Sequence, residues 1–154
     1  MPQPDGLNRR ALIGWGAVAM AALPVSAKAV TDTPQATFDA YRDLINRHDF
    51  DLLQDRVMSD HPIFVFANKR HDGLDAARAA FMHTWSILPD EVYSMSGEKW
   101  LFIGRDHAAC TFAYAYRGTM ADGRALSGGG QGLNIFTLTP KGWRLSFEQL
   151  TPDT

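Results

Sequence analysis

The period of the apolar pattern changes near residue 90. Between 33 and 88 apolar residues recur at three- and four-residue intervals, and from 92 to 150 they alternate with polar or small residues in steps of two. Helical and strand-forming stretches are thus segregated along the chain, which predicts an α+β domain. Thr33 before Pro34 reads as an N-cap with proline in the first turn, and Phe38, Tyr41, Leu44 and Ile45 then share one helical face. His48-Asp49 ends that helix and caps a second at 50–58, which buries Leu52, Leu53 and Val57. A polar break at 59–62 separates it from a short strand at 63–67. Asp72-Gly73 opens a third helix with an inward stripe of Leu74, Ala77, Phe81, Trp85 and Leu88, and Pro89 stops it. Four longer strands follow at 92–103, 108–118, 125–139 and 143–150, with Asp122-Gly123 as a hairpin signal.

The alternation assigns faces. Cys110, Phe112, Tyr114 and Tyr116 point one way while Ala109, Thr111, Ala113 and Ala115 point the other, a large/small division suited to a strongly curved sheet over a pocket. On the last strand the same period puts Trp143, Leu145, Phe147 and Gln149 inward and Arg144, Ser146 and Glu148 outward. Gln149 would then be a buried amide that needs either a side-chain partner such as Tyr114 or a ligand. The glycines of 128–132 predict a bulge or bend that curls the sheet. They do not form a phosphate loop, because a strand and not a helix follows them.

Upstream of Thr33 the chain has a different character. Arg9-Arg10 precedes an apolar run from Ala11 to Leu23, and Ala27-Lys28-Ala29 supplies a small-x-small cleavage pattern. The run is shorter than the roughly 20 residues that cross a bilayer, so residues 1–29 are expected to be a cleaved export signal and not a lasting membrane anchor. Paired arginines, the mild hydropathy given by Gly14 and Gly16, and Lys28 beside the cleavage site favour the twin-arginine route to a periplasmic or secreted location. One domain would remain from residue 30 to 154. The whole chain carries 15 Lys and Arg against 17 Asp and Glu, and removing Arg9, Arg10 and Lys28 with Asp5 makes it more acidic. No clustered positive field remains for nucleic acid. The single cysteine, Cys110, excludes an internal disulfide.

Three helices and a short strand, then a curved sheet ending in Gly142-Trp143-Arg144-Leu145-Ser146-Phe147-Glu148-Gln149-Leu150-Thr151-Pro152, resemble the SnoaL-like branch of the nuclear-transport-factor-2-like superfamily. The helix start Asp72-Gly73-Leu74-Asp75-Ala76-Ala77-Arg78 and the helix ending Asn46-Arg47-His48-Asp49-Phe50-Asp51 add to the likeness, which spans nearly all of residues 30–154. The resemblance implies three N-terminal helices packed on a strongly curved antiparallel sheet, a cystatin-like cone or α+β barrel. It also implies a deep apolar pocket and a homodimer through the outer sheet face. Members include ketosteroid isomerase, polyketide cyclases, dehydratases and epoxide hydrolases alongside proteins that only bind ligands, so the fold does not settle the activity.

By that resemblance Tyr41 matches the isomerase's oxyanion-donating tyrosine, and Asn134 matches its second donor, there a protonated carboxylic acid. Each has a plainer reading, as a rim tyrosine and as an asparagine satisfying strand backbone. The isomerase's general base falls near Phe64 or Val65, neither of which accepts a proton. Phe38, Trp85, Phe112, Tyr114, Phe136, Phe147 and Gln149 complete the expected lining for an apolar cyclic or aromatic ligand. The histidines at 48, 61, 71, 83 and 107 show no i, i+3 or i+4 pair, so neither a metal nor another cofactor is expected. No serine sits in a nucleophile elbow. Two functions follow from these residues: cofactor-free acid/base catalysis of an isomerase, dehydratase or other lyase type, or ligand binding without catalysis. A purely structural dimerisation module would instead fill the pocket with its own side chains.

Overall fold

The computed structural model describes residues 32–153. The proposed export signal therefore lies outside the described residues. Helix α1 (Pro34–Leu44) starts where Thr33 accepts a hydrogen bond from the Ala36 amide at 3.1 Å, and a single 3₁₀ turn (Ile45–Arg47) extends it. His48 takes a left-handed conformation that ends this turn, and Asp49 caps α2 (Phe50–Arg56) by accepting from the Leu52 amide at 3.0 Å. Strand β1 (Met58–Phe66), strand β2 (Lys69–Asp72) and helix α3 (Gly73–Ile87) follow. Strands β3 (Val92–Ile103), β4 (His107–Thr119), β5 (Ala125–Thr139) and β6 (Gly142–Pro152) complete the domain. Among the described residues no helix is long and apolar enough to cross a membrane.

The six strands form one sheet in the order β2-β1-β6-β5-β4-β3. Three features depart from the sequence expectation. The helices are not all N-terminal, because β1 and β2 precede α3, and β1 pairs parallel to β6 while every other neighbour is antiparallel. The sheet is also open, with β2 and β3 as its edges, so it is a curved sheet and not a barrel. Strand β2 escapes an apolar pattern because Lys69-Arg70-His71-Asp72 is polar throughout and lies on the edge. It is joined to β1 by Ala67 and Asn68, both at positive φ (51° and 58°), the backbone of a two-residue primed hairpin turn. The break expected at 59–62 is present as an irregularity inside β1, where pairing with β6 jumps from Met58 to Ile63.

Two ring clusters make the core. Phe38 of α1 packs edge-on against Phe112 (5.5 Å between ring centroids) and Trp100 (6.4 Å), and Trp100 lies 5.6 Å from Phe136. Phe81 and Trp85 of α3 meet Phe50, Phe64 and Phe66 in the other. Thr37 Oγ1 donates to the Trp143 carbonyl at 3.0 Å and ties α1 to β6 inside the protein. Of the two features that the glycine run in β5 allows, a bulge is not found. Pairing with β4 runs without a register shift from His107↔Thr137 to Thr119↔Ala125, so no bulge lies there. The glycines make room instead: a Cβ on Gly132 would enter the Phe112 ring, and one on Gly128 would sit 2.6 Å from the Tyr116 hydroxyl. At 128 and 132 glycine leaves room for rings that β4 lays across its neighbour, whereas a Cβ on Gly129 or Gly130 would meet the backbone oxygens of Tyr114 and Thr151.

Register shifts occur in β3 against β4, at Ser96/Lys99 and Trp100/Phe102, and the one that shapes the site sits in β6. Phe136 pairs with Leu145 while Ile135 pairs with Phe147, so Ser146 is an extra residue opposite a single step of β5. Its hydroxyl donates to the Ile135 carbonyl at 3.0 Å and shares a 2.9 Å hydrogen bond with Thr137 Oγ1. A one-residue insertion inverts every later side chain. Trp143 and Leu145 face inward as expected, but beyond Ser146 the inward residues are Glu148, Leu150 and Pro152. Phe147 joins Ile63 and Ile135 on the outer face, and Gln149 is exposed.

Candidate functional site

The inverted register creates the most unusual row in the sheet. Phe64, Glu148, Asn134, Cys110 and Trp100 lie side by side across β1, β6, β5, β4 and β3 on the inner face. Glu148 is 1 % exposed and Asn134 is fully buried. From α1 above, the Tyr41 hydroxyl donates to Glu148 Oε1 at 3.1 Å. With its amide turned to satisfy both ends, Asn134 Nδ2 donates to Glu148 Oε2 at 3.0 Å and to the Leu133 carbonyl at 3.2 Å. Two neutral donors therefore hold one carboxyl, and among the described residues no cation pairs with it. Burial disfavours the charged form, and the two hydrogen bonds offset this only in part, so the pKa of Glu148 is pushed up to about 8. The Tyr41 phenol is raised as well, first by burial and then by Glu148.

A cavity of about 400 Å³ opens beside this group, within the size range of small-molecule sites. Tyr41 and Ile45 border it from the first helix, and Phe66 and Ala67 from the end of β1. Phe81, Thr84, Trp85 and Ile87 close it from α3, followed by Leu88 and Glu91. The sheet contributes Tyr93, Tyr114, Tyr116, Leu126, Glu148, Leu150 and Pro152. Tyr93 is held in place by Asn46, whose amide donates to its carbonyl (2.8 Å) and accepts from its N–H (2.7 Å). Its ring stacks on Tyr114 at 5.9 Å, while its hydroxyl is buried and makes no hydrogen bond among the described residues. Glu91 is 9 % exposed, and burial alone raises its pKa. His48 lies behind the wall, stacked on Trp85 at 5.0 Å.

The expected site residues distribute unevenly around this cavity. Tyr41, Trp85 and Tyr114 border it. Asn134 does not, but touches it through Glu148. Phe38, Phe112 and Phe136 are buried core residues that do not border it: Phe38 packs on Phe112 and Trp100, and Trp100 on Phe136. Phe147 and Gln149 face away, because the alternation that placed them inward is broken at Ser146. Tyr41 and Asn134 do not point free donors at a ligand, since both are engaged with Glu148. Sequence reasoning missed Glu148, Glu91 and Tyr93. The available signal was Asn134, an inward amide on an apolar strand that needs a polar neighbour. Among the described residues no group of three or more His, Cys, Asp or Glu is placed to hold a metal ion.

No protein-family model and no curated protein matches the chain. Solved structures do match, and those described here have low sequence identity. A nuclear transport factor 2-like superfamily protein from Salmonella enterica serovar Typhimurium superposes with a TM-score of 0.68 at 15% identity, over 77% of this chain and 87% of that one. A candidate dehydratase of the same family from Streptomyces avermitilis gives 0.67 at 14%, over 77% and 93%. A Caulobacter vibrioides protein with a cystatin-like fold gives 0.68 at 16%, over 81% and 90%. At such identities the likeness is one of fold: the chain has the α+β architecture of nuclear transport factor 2-like proteins, with three helices on a six-stranded open sheet.

Proposed function

We propose that this protein is an exported enzyme that moves a proton on an apolar cyclic or aromatic molecule without a cofactor, in an isomerisation, dehydration or other lyase step. The observation that carries the reading is Glu148, a buried carboxyl bordering an aromatic cavity with a pKa near 8. A group whose pKa lies close to the working pH can both give and take a proton, as general acid–base catalysis requires. Glu148 also lies beside Phe64 in the sheet, next to the place where the isomerase resemblance puts a base that Phe64 itself cannot supply. Tyr41 and Asn134 act as positioning residues that fix the carboxyl, and the unpartnered Tyr93 hydroxyl is the donor left for a ligand oxygen. The dehydratase description of one structural neighbour agrees with this chemistry.

The test starts from a compound that raises the melting temperature by occupying the cavity. Glu148→Gln is expected to keep that stabilisation and lose turnover of the compound. Tyr41→Phe is expected to fold and to lower turnover at least tenfold. Full turnover in Glu148→Gln would remove the carboxyl from the mechanism. The second reading is ligand binding without catalysis, favoured by the engagement of both Tyr41 and Asn134 with Glu148. Under that reading Glu148→Gln changes affinity alone. Export by the twin-arginine route is part of the proposal, and continued periplasmic accumulation after replacing Arg9 and Arg10 together by lysine would contradict it. A homodimer through the outer sheet face is supported by the apolar row of Ile63, Phe147 and Ile135 there. Phe147→Glu should then give monomers in light scattering.

A further inference from the structure

The cavity contains carboxyl groups and aromatic faces but no balancing charge. Among the described residues no Lys, Arg or His borders it, whereas Glu91 and Glu148 both do. The two carboxyls are not equivalent. Glu148 accepts from Tyr41 and Asn134, but the Glu91 side chain makes no hydrogen bond and no ion pair among the described residues. Glu91 is little exposed, yet its oxygens are not among the enclosed polar atoms, so it faces the cavity as a carboxylate without a protein partner, and an arriving cation would supply one. Trp85, Tyr93, Tyr114 and Tyr116 border the same cavity, and aromatic ring faces attract positive charge and repel negative charge. A plain apolar ligand would satisfy the rings and leave Glu91 without a partner, and an anion would be opposed by the Glu91 carboxylate.

We propose that the ligand of this cavity is an organic ammonium, a cyclic or aromatic body carrying a positively charged nitrogen, with the nitrogen seated against Glu91. The inference rests on the cavity being a ligand site and names the class of molecule that it takes. The positive end lies at Glu91, near the exit of α3, and the body extends along the tyrosines toward Glu148.

Three probes of similar size separate the alternatives by calorimetry on the folded protein: 2-phenylethylammonium, 2-phenylethanol and phenylacetate. The ammonium is expected to bind at least tenfold more tightly than the alcohol, with phenylacetate the weakest. Glu91→Gln should bring the ammonium and alcohol affinities within about twofold of each other, and Glu91→Asp, which keeps the charge, should restore the preference. Equal or tighter binding of the alcohol or phenylacetate, or an ammonium preference that survives in Glu91→Gln, overturns the cation assignment and leaves the cavity a ligand site. Failure of all three probes to bind contradicts both the cation assignment and the reading of the cavity as a ligand site.

Discussion

Glu148→Gln should change how stability depends on pH more than it changes stability itself. In the folded protein burial carries the Glu148 pKa from its ordinary value of 4.5 to about 8. Below pH 4.5 the carboxyl is neutral in both folded and unfolded chains and contributes no pH dependence. Between the two values the unfolded chain has released the proton and the folded chain still holds it, so stability falls as pH rises. The slope is about 1.4 kcal/mol per pH unit, and over this interval the total loss is roughly 5 kcal/mol, complete once pH exceeds 8. Glutamine resembles the protonated acid in shape, and Asn134 can turn its amide to accept from it, so the substitution should cost about 1 kcal/mol or less at pH 5. Urea unfolding followed by tryptophan fluorescence from pH 5 to 8.5 reads the comparison. The wild-type curve should descend steeply and the variant curve weakly, leaving Glu148→Gln the more stable by roughly 4 kcal/mol at pH 8.5. The raised pKa of Glu91 slopes in the same direction but acts on both proteins and cancels. The lowered pKa values of Asp60, Asp72, Asp90 and Asp122 act only at acid pH, as those groups protonate in the folded chain. Parallel curves for the two proteins would refute a neutral buried carboxyl at this position.

Gly132→Ala should destabilise by about 1–3 kcal/mol in the same assay, since its methyl enters the ring of the fully buried Phe112. Gly128→Ala should cost clearly less, because Tyr116 is only half-buried and its hydroxyl end can swing away. Equal costs would contradict ring clearance as the reason for glycine at these two positions. Cys110 is buried, and desolvation pushes its thiol up to about 12, so it should resist a disulfide reagent such as dithionitrobenzoate in the native protein and react on unfolding in urea. Rapid native labelling would contradict its place in the inner row.

The helices and long strands were legible because their signals are local and redundant. Thr33-Pro34, Asp49 and the apolar stripes each point to the same element, and β3 and β5 have the boundaries that alternation gives them. Strand β2 was not legible, since a polar edge strand is specified by its partner and by the turn at Ala67-Asn68. The candidate site was partly legible for a related reason. Tyr41, Trp85 and Tyr114 precede any interruption of their pattern and border the cavity. Phe147 and Gln149 lie beyond Ser146, whose insertion has no distinctive residue signature in a strand that reads as regular alternation on both sides. One unmarked bulge exchanged an exposed amide for a buried acid.

The proposed chemistry needs a neutral, proton-exchanging carboxyl beside the aromatic cavity at neutral pH. Carbon-13 NMR of glutamate-labelled protein measures it directly through the Cδ resonance of Glu148, identified by its absence in Glu148→Gln. A titration centred near pH 8 is expected. A Glu148 resonance already that of a carboxylate at pH 6 would contradict it.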